Sequence, residues 1–201
     1  QLQEWAITED GLFENLILTT TSAKESAWGI AIHTAQRLAI EADPTWKDFS
    51  EEAGAKGLKA ARAIGMLTYR NYEAFSKTQT DENVSKLDDF KAASYINYQG
   101  EKLVNRFNAY SYWLLTKSMD SHNVARGRNS IEEALKKIKA KTLVVGISSD
   151  FLCPTAEQKI LAKNIPAAEF REIESPFGHD GFLVEGEKLS ALIREFFSSG
   201  N

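Results

Sequence analysis

The last third of the chain alternates strand-like and helix-like segments, and this alternation constrains the fold more than any other feature. Residues 141–147, KTLVVGI, form an apolar run typical of a strand buried on both faces. A helix is predicted from Thr155 to about Lys163, followed by a strand over residues 169–173 and an amphipathic helix over residues 185–197. This order predicts parallel strands with right-handed crossovers and helices packed on the sheet.

The front of the chain contributes one more strand and then a long helical stretch. Residues 16–21, LILTTT, favour a buried strand over a helix because the run is short and bounded by polar residues. Residues 25–139 contain almost no strand-like run, and apolar residues recur there at helical spacing. The predicted helices lie near residues 25–42, 53–75, 86–105, 107–120 and 130–139, with a polar loop over 120–130.

We therefore predict an α/β fold class in three segments: residues 1–24 in the sheet core, 25–139 as a helical insertion, and 140–201 in the sheet core. Gln1 to Ala6 resembles the interior of an amphipathic helix with no capping residue before it. We expect on this ground that the natural chain continues upstream.

Composition excludes several classes of partner. Twenty-four basic and 28 acidic residues give a net charge of −4, so we expect no nucleic acid and no anionic membrane as a partner. No apolar run approaches the roughly 20 residues that cross a bilayer, and the first residues lack the pattern of a secretion signal. Cys153, the single cysteine, fits a reducing compartment. The expected location is the cytoplasm.

Two side chains follow the carboxyl ends of the last two predicted strands, where ligands bind in parallel sheets. Asp150 comes three residues after one strand and His179 follows the next. Taken alone, Asp150 is a helix cap or a solvated loop carboxylate, and His179 is an inert loop residue. Taken together, an acid followed by a His after consecutive strands has the order of these two residues in an α/β-hydrolase-type catalytic triad, in which the carboxylate orients the imidazole. No G-x-S-x-G nucleophile motif is present among the 201 residues.

Other reactive side chains favour structural roles. Cys153 lies on the loop of the acid rather than on a nucleophile turn, which favours packing over thiol catalysis. His33 falls within a predicted helix, as do the aromatic residues Trp28, Tyr110, Tyr112 and Trp113, and packing in the core or in the helical insertion is expected for all of them. The sequence shows no metal-ligand spacing and no glycine-rich phosphate loop, so no metal is predicted.

Several motifs together resemble the homoserine O-acetyltransferase family of α/β-hydrolase-fold acyltransferases. They are SAWGIA, MLTYR, NRFNAYSYWLLTKSMDSHNVARGR, SSDFLCP and FGHDGFL. Gln1 to Ala6 also match a family segment QxLEWA, with Gln3 in place of Leu. The resemblance implies the C-terminal part of an α/β-hydrolase fold with an all-helical lid, and a nucleophilic Ser a few residues upstream of Gln1.

The resemblance further implies a two-step acetyl transfer from acetyl-CoA to the hydroxyl of L-homoserine, for methionine biosynthesis, with acetyl-CoA as co-substrate and no permanently bound cofactor. Asp180 would contact the homoserine ammonium; otherwise it is an exposed loop carboxylate. Arg70 is the candidate for the substrate carboxylate because a guanidinium binds carboxylates in a bidentate manner; otherwise it is a solvated helix residue. Tyr69 is a weaker candidate.

The remaining basic residues are ambiguous. Arg106, Arg126 and Arg128 could meet CoA phosphates, but ion pairs with carboxylates of the lid are favoured. His122 is expected to have a structural role.

Three alternatives remain open: succinyl-CoA as donor or serine as acceptor on the same scaffold, an ordinary esterase, and a non-catalytic fragment. Without an N-terminal segment that carries the nucleophile, these residues are expected to be inactive. Pairing of lid helices in a homodimer is also expected.

Overall fold

The structure, a computed structural model, describes residues 1–48 and 50–198. Two compact units emerge. The sheet unit consists of residues 1–25 together with the chain from residue 122 onward, and the helical unit consists of residues 26–121. Among the described residues, every helix is too short or too polar to cross a membrane.

The elements follow one another in a simple order. Helix α1 (Leu2–Thr8) and strand β1 (Asn15–Thr19) precede five helices, α2 (Ala27–Glu41), α3 (Ala55–Tyr69), α4 (Tyr72–Gln79), α5 (Lys91–Val104) and α6 (Ala109–Asp120). The chain then continues through α7 (Ile131–Leu135), β2 (Lys141–Ile147), α8 (Thr155–Asn164), β3 (Ala168–Ile173), a 3₁₀ turn (Gly178–Asp180), α9 (Gly181–Val184) and α10 (Gly186–Ser198).

The sheet unit is built on three parallel strands in the order β1-β2-β3, as the alternation predicts. Strand β2 is central and its residues from Thr142 to Ile147 are all buried, because helices cover both faces of a parallel sheet. Successive side chains of a strand point to opposite faces. Val144 therefore packs in one core with Leu16 and Leu18, while Leu143 packs in a second core with Phe196 of α10.

The helical unit has its own core, formed by Ile40, Leu58, Ala61, Leu103 and Ala109. Helices α2 and α3 approach closely at Gly57, where an added Cβ would lie 2.6 Å from the Ala39 carbonyl oxygen and from Ile40 Cα. A glycine is therefore needed at this crossing.

Three predicted helices are shorter than expected. The one predicted over 130–139 is α7, which ends at Leu135. The one predicted over 53–75 is interrupted at Arg70, whose backbone is extended, and Asn71 caps α4 by accepting a hydrogen bond from the Glu73 N–H. The one predicted over 86–105 begins only at Lys91.

The predicted boundary at residue 139 lies later than the end of the helical unit. Residues 122–139 group with the sheet unit because Val124, Ala134, Leu135 and Ile138 pack in the same core as β1. Residues 199–201, at the end of the last predicted segment, lie outside the described part of the chain.

Candidate active site in the sheet unit

Asp150 lies on the loop after β2, and its carboxylate is fully shielded from solvent. Its Oδ1 accepts hydrogen bonds from the backbone N–H groups of Leu152 and Cys153, both at 2.9 Å. Helix α8 begins later, with Pro154 as its N-cap residue, so Asp150 does not cap it. One carboxylate oxygen thus shapes the loop, and Oδ2 is left for another partner.

That partner is His179, which lies in the 3₁₀ turn after β3. Its Nδ1 is 2.8 Å from Asp150 Oδ2, and the side chain is 19% exposed. Gly178, immediately before it, has φ +67°, a conformation that other residues adopt at a cost. Phe182 packs edge-on against the imidazole, with ring centroids 5.6 Å apart. The turn therefore presents the imidazole in one orientation.

The structure brings the predicted acid and base into direct contact. Because an ionised carboxylate can only accept, Nδ1 carries the shared proton and Nε2 is left as the basic nitrogen. This arrangement suits a general base that removes a proton from a hydroxyl and returns it to a leaving group.

Cys153 lies beside this pair, and its Sγ, a carboxylate oxygen of Asp150 and a ring nitrogen of His179 all lie within 4.8 Å of one another. These are possible metal ligands, a grouping that the sequence spacing does not reveal. Burial, with the nearby charge of Asp150, raises the pKa of the Cys153 thiol to about 12. A protonated thiol is a poor nucleophile, and Nδ1 of His179 is already hydrogen-bonded to Asp150, so the arrangement favours acid–base chemistry by His179 over thiol catalysis.

Serine side chains connect the loop of the acid to the turn of the base. Ser149 Oγ donates to the Ser175 carbonyl oxygen at 2.5 Å and accepts from the Gly178 N–H at 2.9 Å. Sequence reasoning missed these residues, because serines in loops carry no signal of spacing or period.

Asp180 and Arg70, the two predicted substrate contacts, belong to different units. Asp180 ends the 3₁₀ turn next to His179 and is half-buried. Arg70 is the residue after α3 in the helical unit and is also half-buried. Its neighbour Tyr69 is packed under the guanidinium of Arg62, 5.3 Å from the ring centroid, and hydrogen-bonds with Tyr112.

The ambiguous basic residues have separate environments. Arg128 forms an ion pair with Glu4 of α1 at 3.0 Å, whereas the sequence reading favoured a partner on the helical insertion. Arg126 and Arg106 are exposed, and Arg106 lines a cavity of about 410 Å³ in the helical unit. His122 Nε2 lies 3.1 Å from the Ser22 carbonyl oxygen.

Most of the residues assigned to packing are tied into the helical unit. His33 Nδ1 is 2.8 Å from Asp120 Oδ1, and Tyr110 stacks on Trp46 at 4.5 Å. Tyr112 is half-buried, and Trp113 donates to Glu41. Trp28 is the exception, because it is 52% exposed at the start of α2.

The chain is similar to homoserine O-acetyltransferases in sequence and in structure. It is 46% identical over 198 residues to the homoserine O-acetyltransferase of Cyclobacterium marinum. The aligned region makes up 98% of this chain and 56% of that protein. The crystal structure of homoserine O-acetyltransferase from Bacillus anthracis superposes with a TM-score of 0.86 at 25% identity, over 96% of this chain and 56% of the other.

A solved esterase has a TM-score of 0.84 at 17% identity, over 96% of this chain and 57% of the esterase, which is a likeness of fold alone. No protein-family model matches the chain. The chain spans a little over half the length of these proteins. Similarity along almost all of its residues relates the chain to homoserine O-acetyltransferases, and its parallel sheet with flanking helices is that of α/β-hydrolase-fold proteins.

Proposed function

We propose that this chain supplies the acid and the base of an enzyme that transfers an acetyl group from acetyl-CoA to the hydroxyl of L-homoserine. The observation that carries the proposal is the 2.8 Å contact between His179 Nδ1 and Asp150 Oδ2 at the ends of neighbouring parallel strands. The similarity to homoserine O-acetyltransferases supports the choice of reaction.

The nucleophile is proposed to be a serine in a segment upstream of Gln1, as the resemblance to homoserine O-acetyltransferases implies. In the first half-reaction His179 Nε2 takes the hydroxyl proton as the serine oxygen attacks the thioester carbon. The C–S bond then breaks, and the CoA sulfur leaves with the proton from His179. Asp150 stabilises the transient imidazolium through Nδ1.

The second half-reaction runs through the same base. His179 removes the proton of the homoserine hydroxyl, whose oxygen attacks the acyl carbon, and the serine oxygen leaves and regains the proton from His179. No cofactor other than the co-substrate acetyl-CoA is required by these steps. Arg70 is the proposed contact of the substrate carboxylate and Asp180 that of its ammonium group, since each offers the opposite charge.

The helical unit is proposed to act as the lid that keeps water from the acyl-enzyme.

The helical unit is also the proposed homodimer surface, because α6 exposes Leu114, Leu115 and Met119 by 65%, 53% and 44%. Sedimentation velocity of the protein and of a variant with Leu114→Lys and Leu115→Lys tests the dimer. A monomeric wild type would contradict it.

The reaction is tested with the protein that includes the preceding segment, compared with residues 1–201 alone. Purified samples are given acetyl-CoA or succinyl-CoA with homoserine, serine or water as acceptor, and the products are separated by mass spectrometry. We expect acetyl transfer to homoserine by the longer protein and no turnover by residues 1–201. Hydrolysis of acyl esters without transfer to an amino acid would favour an esterase, the second candidate that the fold allows.

A further inference from the structure

The loop after β2 and the turn after β3 are joined by a short series of hydrogen bonds that bypasses the Asp150 carboxylate. The Ser148 N–H donates to the Ile173 carbonyl oxygen at 3.0 Å, which extends the strand pairing by one residue. Beyond that point Ser149 Oγ forms the link, because it donates to Ser175 O and accepts from Gly178 N–H. One hydroxyl therefore spans both ends of the segment that leads into His179.

We propose that Ser149 is a positioning residue for the base: it holds the backbone of the His179 turn, while Asp150 holds the imidazole ring. This inference rests on the proposed acyl transfer, in which His179 must serve two half-reactions from one position. The contact between Asp150 and Nδ1 fixes the rotation of the ring, but it does not fix the peptide from which the ring projects. The hydrogen bond at Gly178, one residue before His179, does so.

The anchor on the other side of Ser149 is itself well held. Ser175 is 3% exposed, and its N–H donates to Ser148 Oγ at 3.1 Å. Its own Oγ accepts from the Phe177 N–H at 3.2 Å. Ser149 therefore connects the turn of the base to a buried point of the main chain rather than to a mobile side chain.

The chemistry of the bridge requires a hydroxyl at this position. The hydroxyl of Ser149 donates a hydrogen bond to Ser175 O and accepts one from the Gly178 N–H, so it acts as donor and as acceptor at the same time. Alanine removes both hydrogen bonds, threonine keeps the hydroxyl, and cysteine replaces it with a weak donor and acceptor.

Ser148 provides the matched control. It is the same residue type one position earlier, and within the described part of the chain its hydroxyl bonds with the main chain of Ser175 alone. Loss of this hydroxyl removes its contacts with Ser175 and leaves the hydrogen bond from the Gly178 N–H to Ser149 Oγ in place.

The experiment measures kcat and KM of the protein that includes the preceding segment, together with hydrogen exchange of peptides that cover residues 175–182. For Ser149→Ala we expect kcat to fall about 10- to 100-fold, because small displacements of a catalytic group are costly, with KM for both substrates nearly unchanged. Exchange at residues 176–180 should be faster. Ser149→Thr should recover most of the rate, and Ser148→Ala should keep kcat within about threefold of wild type.

Two results overturn the proposal: wild-type kcat in Ser149→Ala, or an equal loss of kcat in Ser148→Ala. If Ser149→Ala does not fold, Ser149→Cys is measured instead, and a kcat equal to wild type in that variant also overturns the proposal.

If the wild type transfers nothing to homoserine, the proposed function fails. The same variants are then compared on hydrolysis of 4-nitrophenyl acetate, and an unchanged rate in Ser149→Ala or Ser149→Cys overturns the role of Ser149 separately.

Discussion

Asp150 and His179 meet through Oδ2 and Nδ1 at 2.8 Å, and the acid keeps its other oxygen for two N–H groups of its own loop. The carboxylate is thus fixed before it orients the imidazole. Because both oxygens of Asp150 are hydrogen-bonded, its carboxylate cannot rotate to follow a displaced imidazole. The geometry of the pair is therefore set by the loop after β2 and the turn after β3.

Replacement of the acid tests this relationship. In Asp150→Asn the side-chain amide can donate to Nδ1 and favours the wrong tautomer, so we expect kcat to fall by about 10³- to 10⁴-fold. Steady-state kinetics of the longer protein measure this, with the melting temperature recorded to exclude unfolding. A loss smaller than tenfold would show that His179 does not need the carboxylate.

Arg70 should determine the affinity for the amino-acid substrate. Arg70→Lys keeps the charge but loses the two-point contact, and we expect KM for homoserine to rise about tenfold or more while KM for acetyl-CoA is unchanged. Arg106→Lys, an exposed position, is the control. Equal KM values in wild type and Arg70→Lys would remove Arg70 from the substrate site.

The thiol of Cys153 should be unreactive in the folded protein. Burial raises its pKa to about 12, and the thiol is fully protonated at pH 8, so alkylation by iodoacetamide should be far slower than in guanidinium chloride. Intact mass against time gives both rates. Fast labelling of the native protein would mean that Cys153 is an available thiolate.

Asp43 should make the helical unit sensitive to acid. Its Oδ2 accepts from the Gly57 N–H at 2.9 Å and its Oδ1 from the Thr45 N–H and hydroxyl at 3.0 and 2.8 Å. Burial acts to raise the pKa of Asp43, but these hydrogen bonds outweigh it and lower the pKa below the ordinary 3.8. The stabilisation is present above pH 3.8 and is lost as the pH falls through the lowered value.

The matching variant is Asp43→Ala, compared with Asp48→Ala at an exposed site. At pH 7 we expect Asp43→Ala to lower the free energy of unfolding by about 1–3 kcal/mol, because the Gly57 N–H loses its partner. Urea titrations at pH 7 and pH 3 measure the difference. A difference that is the same at both pH values would contradict the assignment to the ionised carboxylate.

Regular elements were the most predictable part of the fold. Strand β2 was found because a strand buried on both faces is short and apolar, and β3 because its residues alternate. Asp150 and His179 were found because they follow those strands. The interruption at Arg70 was missed, since the apolar period continues across it. Its signal is Asn71, a good capping residue in the middle of an apparent helix.

Contacts between distant loops were beyond the sequence. The link from Ser149 to Gly178 joins residues 29 positions apart, and neither residue is part of a periodic pattern. The placement of residues 122–139 with the sheet was missed for a related reason. Short apolar helices look alike whichever core they join, so the packing of Leu135 and Ile138 depends on tertiary structure.

The helical unit leaves and returns to the sheet unit at neighbouring points. The Glu25 N–H donates to the His122 carbonyl oxygen at 2.9 Å, and Lys24 and Asn123 form an antiparallel bridge. Because the two ends of the insertion are one hydrogen bond apart, residues 26–121 occupy what is in effect a loop of the sheet unit. In the course of evolution such a loop can be lengthened, exchanged or deleted while the residues after β2 and β3 stay as they are.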